Sequence, residues 1–348
     1  MEIIKKGINI DFIGKRRIAY TLSSLMILIG ILSLVYHGGP KYGIDFAGGT
    51  LIQVKFSSPV GIDRIKSGLS AASLSNSSVQ MFGDEKENEF LVRTNTPVMA
   101  NKEFSQSLIE ALKTATGNVA ELRRIEMVGP QVGKDLQQKA LFAIFYSLVF
   151  IAVYISGRFE FKWVLSIIIG ALLFGAVYFF SLFKLNMGIL IAAALLVTFL
   201  IFWLLDLKYA MAAIVALVHD VMITVGMFSI LDKEFNLPII AAILTIIGYS
   251  LNDTIVVFDR IRENLKKYTK NTFIEIINRS VNETLSRTIL TSGTVFIVVI
   301  ALFILGGEII HDFAFAMLIG VITGTYSTVY VANPILIAWQ GKNNKKSR

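Results

Sequence analysis

The sequence predicts a polytopic α-helical membrane protein, a bundle of eight spans carrying one extracytoplasmic α+β domain of ferredoxin-like order. Three observations predict it. Of the 348 residues, 54% are hydrophobic and only 17% charged, where a soluble globular chain carries about 25% charged residues. Eight apolar runs are long enough for a helix to cross the hydrocarbon core, which takes about 20 residues. Between the first and second runs, residues 37–138 turn polar and take on the periodicities of strands and helices.

The first apolar run covers 18–36, after Lys5, Lys6, Lys15, Arg16 and Arg17. A basic start also marks a signal peptide. This run is longer than a signal-peptide core, and His37–Gly38–Gly39–Pro40 follows it in place of a small-residue cleavage site, so it reads as a retained anchor. In the polar stretch, 49–56 (GTLIQVKF) alternates apolar and polar and reads as a strand. Residues 60–72 have helical spacing through Ile62, Ile65 and Leu69. Residues 79–82 and 90–93 read as strands around the polar turn 83–89. Residues 101–115 read as a helix, with Asn101 as its cap before Phe104, Leu108 and Leu112. A last strand covers 119–128. The order is β-α-β-β-α-β, the split βαβ arrangement, which does not by itself fix a function.

Seven further apolar runs follow at 140–156, 163–182, 187–205, 209–231, 237–258, 285–305 and 312–339, the last long enough to begin outside the membrane. The expected layout is a first span within 1–36, the polar domain at 37–138, a seven-span region at 139–340 and a basic tail at 341–348. Lysine and arginine set the orientation. Five precede the first span, seven lie between Arg260 and Arg287, four lie in the tail, and Arg158, Lys162 and Lys208 occupy the short loops of that side. The opposite short loops hold only Lys184 and Lys233. Both termini are therefore expected in the cytoplasm and the polar domain outside it.

The net charge of +8 follows from those loops and carries no nucleic-acid reading. Cysteine is absent, which excludes disulfides, thiol catalysis and cysteine-ligated metal. The three histidines, His37, His219 and His311, are too far apart in sequence for a metal cluster. No hydrolase or zinc spacing occurs, so no enzyme, metal or cofactor is expected.

The segment GIDFAGGT at 43–50 lacks the lysine of a phosphate-binding loop. Gly43, Gly48 and Gly49 read instead as a flexible joint where the anchor enters the domain, with Asp45 capping a turn or pairing locally. Within ALVHDVMIT, Asp220 sits mid-span, where an ionised carboxylate costs about 2.5–3.5 kcal/mol and must face the bundle interior. Two readings stand: a proton or ion carrier, or a neutral structural acid bonded to Thr224 one turn on. His219 is expected to point away from it, since adjacent helical residues do not share a face. Within GYSLNDTIVVFDRIREN, Asp253 is flanked by Asn252 and Thr254 and has no cation within four residues on its own helix. Arg287, entering the 285–305 span from the same side, is the expected partner, with Thr291 as a further polar neighbour. Two other uses of Arg287 compete: snorkelling to the interface, or pairing with Glu283. Residues 273–287 read as an interfacial lead-in helix.

These segments carry a resemblance. GIDFAGGT, VGP at 128–130, RFEFKW at 158–163, AIVALVHDVMIT at 213–224, GYSLNDTIVVFDRIREN at 248–264 and TLSRTILTS at 284–292 stand in the order found in the SecF branch of the SecD/SecF protein-export family. That family lies within the resistance-nodulation-division superfamily. The resemblance implies a subunit that uses the proton motive force to assist Sec-dependent export across the inner membrane. Its partners would be a SecD-like protein, the SecYEG channel, exported unfolded polypeptides and membrane lipid. Asp253 and Arg287 match residues implicated in the family's proton path, and Asp220 matches an acidic position of less defined role. One departure is visible: the family pattern has six spans, and here two additional spans, 164–207, separate RFE from the ALVHD helix. A stand-alone exporter of lipid or small molecule is the alternative reading, and a scaffold in which the buried charges are structural is a third.

Overall fold

The computed structural model describes residues 8–346 apart from Asn76, Asp84, Pro97, Met99, Ala100, Lys184 and Leu185. The expected charges at Lys5, Lys6 and Lys184, and the last two residues of the basic tail, lie outside the described residues. Helix α1 (Arg16–Tyr36) leads through a glycine turn to the short helix α2 (Ile44–Ala47). The domain that follows is β1 (Gly49–Phe56), α3 (Ile62–Ala71), β2 (Ser77–Phe82), β3 (Glu89–Thr94), α4 (Lys102–Thr116) and β4 (Ala120–Val128). Its sheet runs β2-β3-β1-β4, with every neighbouring pair antiparallel. That is the strand order a split βαβ unit produces. Both helices bury one face on the sheet: Ile65, Leu69, Leu108 and Leu112 meet Ile52, Val54, Phe90 and Val92. Asn101 caps α4 as expected, its side chain accepting from the Phe104 amide at 2.7 Å.

The membrane bundle continues with α5 (Pro130–Glu160), α6 (Trp163–Ser181), α7 (Met187–Leu204), α8 (Lys208–Ile230), α9 (Leu237–Lys267), α10 (Phe273–Leu305) and α11 (Gly307–Ser327). A π-helical turn, Thr328–Ala332, joins α11 to α12 (Asn333–Lys346). Among the described residues eight helical segments are long and apolar enough to cross a membrane, the last being Ile310–Gln340. The lead-in at 273–287 runs without a break into its span as α10, started by a capping box between Thr272 and Glu275.

Two features fix the domain to the bundle. First, β4 ends at Val128 and α5 begins at Pro130, so no linker separates them, and the boundary drawn at residue 138 falls inside a helix. The 31 residues of α5 span roughly 46 Å, more than the hydrocarbon core, so its first turns stand outside. Second, the glycine joint packs on that first turn. Gly48 has φ +76°, and a side chain there would come within 2.8 Å of Pro130 Cα; one at Gly133 would come within 2.8 Å of the Phe46 carbonyl.

The expectation for Asp45 needs correcting. Its Oδ2 accepts from the Leu237 amide at 2.8 Å, far along the chain. A free N–H at a helix start attracts a carboxylate, and this one caps α9 from outside its own segment. The same loop between α8 and α9 is held at Phe235, whose carbonyl accepts from the Gly43 amide and whose amide donates to Lys41, both at 2.7 Å. Lys41 pairs with Asp232 at 2.6 Å, Arg93 of β3 pairs with Glu234, and Lys233 pairs with Asp312 at 2.6 Å.

The α6–α7 hairpin hangs on the side of the bundle against α5 and α8, much of it facing outward. Its base is closed. Glu160 at the end of α5 accepts from the Tyr209 amide at the start of α8 at 2.8 Å. Lys162 donates to the Leu205 carbonyl at 2.7 Å, and the Phe159 and Tyr209 rings stack at 5.3 Å. Thus α5 and α8 meet as though nothing intervened. Deleting 164–207 is expected to leave the topology unchanged, read by a reporter fused to the C-terminus; a reporter that changes sides contradicts this.

Candidate functional site

The polar interior is organised by four consecutive residues at the end of α11. Successive helical residues point about 100° apart, so a run of four addresses every neighbouring helix. Thr325 Oγ1 lies 2.8 Å from Ser292 Oγ on α10. Tyr326 contacts Ser23 Oγ on α1 at 3.1 Å and donates to the Ala19 carbonyl at 2.7 Å. Ser327 donates to Asp220 on α8 at 2.8 Å. Thr328, first residue of the π turn, lies 2.9 Å from Thr254 Oγ1 on α9.

Close packing makes these contacts reachable. Gly320 and Gly324 of α11 lie against Ile246 and Ser250 of α9, where an added Cβ would come within 2.2 Å and 2.9 Å respectively. Spacing of i, i+4 puts both glycines on one face, the small-residue arrangement by which membrane helices approach closely.

Asp220 is 0% exposed. Its Oδ2 accepts from Ser250 at 2.6 Å and from Ser327, and its Oδ1 lies 2.9 Å from His219 Nδ1. Two expectations fail here. Thr224 donates to the backbone carbonyl of Asp220, not to its carboxylate. His219 does not point away: its Nε2 is held by Ser23 at 3.0 Å and its ring lies over Tyr326. With each side chain pinned from another helix, the imidazole and carboxylate ends meet although their Cβ directions diverge.

Asp253 is 4% exposed and accepts from Ser292 at 3.3 Å. Thr254, beside it, bonds Thr328 and the Ser250 carbonyl. Thr291 donates within its own helix, to the Arg287 and Thr288 carbonyls. Asn252 faces an open cavity of about 530 Å³ at the end of the bundle away from the α+β domain, together with Arg158, Asp259, Glu283 and Arg287. Arg158 pairs with Asp259 at 2.6 Å, and Glu283 with Arg279 at 2.9 Å. Arg287 forms no ion pair within 4.0 Å among the described residues, either with Asp253 or with Glu283. Among the described residues no group of three or more His, Asp or Glu side chains could hold a metal.

Sequence reading missed Ser23, Ser250, Ser292 and the 325–328 run. A hydroxyl in an apolar span is common and carries no signal alone. The available cue was the pair Gly320 and Gly324 beside a run of four hydroxyl residues. Gly324→Val is expected to push α11 from α9 and break the Ser327 and Thr328 bonds together. Overpacking of this kind costs about 1–3 kcal/mol, to be read as a lower thermal midpoint in detergent; an unchanged midpoint contradicts the packing described.

One family model matches in two segments that overlap within the hairpin, and a second matches around the glycine joint. The model described as "Protein export membrane protein SecD/SecF, C-terminal" matches residues 108–199 and 186–342, and the "SecD/SecF GG Motif" model matches 35–60. The protein translocase subunit SecF of Desulfurispirillum indicum is 40% identical over 95% of this chain and 92% of its own length. That of Vibrio alginolyticus is 39% identical over 97% and 91%. Among solved structures, SecDF from Thermus thermophilus, described as translocon-associated, aligns with TM-score 0.67 and 30% identity over 96% of this chain. The chain covers 39% of that SecDF chain, so it is similar to one part of a longer protein.

Proposed function

The chain belongs to the SecD/SecF family of protein-export membrane proteins and has a SecDF-type role in protein translocation, and from that premise we propose that it is a SecF-like subunit driven by the proton motive force. In this reading it lies in the bacterial inner membrane with both termini in the cytoplasm. It assembles with a SecD-like chain at the SecYEG channel and presents its α+β domain to unfolded polypeptide emerging on the far side. It performs no chemistry on that polypeptide. The hairpin 164–207 is an addition to the family's six-span plan; the division of the family match into two segments that meet within it and the closed base formed by Glu160 and Tyr209 support that.

The observation that carries the proton reading is the pairing of a buried acid with an open, charged cavity. Asp253 sits inside the bundle while Asn252 beside it and Arg287 face the cavity. A protonated Asp253 carries no charge for Arg287 to attract and keeps the bond it accepts from Ser292. An ionised one is drawn to Arg287, because an opposite charge favours the charged form. Brought to 4 Å, closer than Asp253 and Arg287 stand in the structure, two unit charges would attract by about 4 kcal/mol at an effective dielectric of 20. One proton falling through 100 mV releases about 2.3 kcal/mol. The two energies are of one order, so protonation and release at Asp253 would bias whether that contact forms.

Asp253→Asn is expected to abolish the stimulation of export by the proton motive force in membrane vesicles while expression and membrane insertion stay normal. Stimulation that survives in a normally inserted variant would falsify the proton role. Co-purification separates this reading from a stand-alone lipid or small-molecule exporter: a SecD-like chain is expected to accompany the protein, and its reproducible absence would favour the solitary carrier.

A further inference from the structure

The bonds around His219 allow its protons to be counted. Tyr326 donates its hydroxyl proton to the Ala19 carbonyl at 2.7 Å. Ser23, 3.1 Å from the Tyr326 oxygen, is therefore the donor in that contact. Its single proton is then used. The 3.0 Å contact between Ser23 Oγ and His219 Nε2 consequently requires a proton on Nε2. On the other side of the ring, Nδ1 lies 2.9 Å from Asp220 Oδ1. These are two acceptors facing each other unless a proton lies between them. Asp220 Oδ2 accepts from Ser250 and Ser327. All the bonds close together only with one proton on Nε2 and a second shared between Nδ1 and Oδ1. The pair is then net neutral, whether written as imidazolium and carboxylate or as imidazole and carboxylic acid. Net neutrality suits a site buried this deeply, where an unbalanced charge is costly.

We propose that His219 and Asp220 form a second proton-holding site in the bundle, distinct from Asp253, and that release of their shared proton turns the Ser23 hydroxyl from Tyr326 to His219. Once that proton leaves, the one remaining must sit on Nδ1, because a bare Nδ1 lone pair would face an ionised carboxylate at hydrogen-bond distance. Nε2 then offers only a lone pair, which the Ser23 proton satisfies by leaving Tyr326. Helix α1, which leads into the α+β domain, thereby loses the Ser23 bond to α11 and keeps the one from Tyr326 to Ala19, while its bond to α8 reverses direction. Among the described residues the titratable group facing the pair from another helix is Tyr326 on α11, committed to Ala19, while Asp253, one turn beyond Ser250 on α9, is bonded to Ser292. The use of this switch in export rests on the proton-driven reading; the location of the proton does not.

The chain has three histidines, which makes the site addressable. With His37→Gln and His311→Gln in place, ¹⁵N-histidine labelling leaves His219 as the only signal in solid-state NMR of the protein in lipid bilayers. At neutral pH a protonated Nε2 is expected. A neutral ring protonated on Nδ1 alone overturns the proposal. Ser23→Ala removes the acceptor of Nε2–H and is expected to shift the ring toward the Nδ1-protonated form; an unmoved spectrum also overturns it. In the vesicle assay His219→Gln is expected to lose proton-stimulated export. If NMR finds the proton and that variant exports normally, the coupling to export is overturned while the Asp253 reading stands.

Discussion

At Gly324 an added methyl group would come within 2.9 Å of the Ser250 side chain on the facing helix, and the polar interior depends on that closeness. Inside a bilayer, apolar surface gives helices little reason to associate, so close backbone approach and interhelical hydrogen bonds must do so. With α11 pressed on α9, four hydroxyl side chains at 325–328 (three short ones and the longer Tyr326) reach α10, α1, α8 and α9 in turn. Both buried aspartates are tied into this network. Asp220 bonds Ser327 directly, and Asp253 is linked to Thr325 through Ser292. The π turn begins at the last of the four, and such turns are frequent at functional sites.

The same helices run to the domain. Asp220 lies on α8 and Asp253 on α9, and the loop joining α8 to α9 is the segment that the domain grips. Asp45 caps α9 there, Lys41 and Arg93 pair with its carboxylates, and Lys233 ties it to Asp312. Meanwhile the other attachment, β4 into α5, has no slack. A relative shift of α8 and α9 would therefore be felt at the domain through one set of contacts while α5 holds it through another. Under the proton-driven reading, this is the physical route from a charge change in the bundle to work outside it.

Much of this was legible before any coordinates. The βαββαβ order, the eight spans and the Asn101 cap follow from periodicity and capping chemistry, which are local. Asp253 and Asp220 stood out because charge in an apolar span is expensive. What escaped was set by tertiary packing. Asp45 looks local in sequence, yet its partner is the start of α9. His219 and Asp220 diverge on an ideal helix, yet other helices bring their ends together. Arg287 looks like a ready partner for Asp253, yet side-chain placement in the cavity leaves the two outside ion-pair distance. Serines and threonines gain meaning only once the glycines that let helices touch are placed.

Proton entry into sealed vesicles holding this chain with its SecD-like partner and the Sec channel tests the central claim most directly. Measured with an entrapped pH indicator during polypeptide export, proton influx that accompanies export in the native protein and vanishes in Asp253→Asn is the predicted result. Equal influx in both, or export with none in either, would contradict a proton path through Asp253.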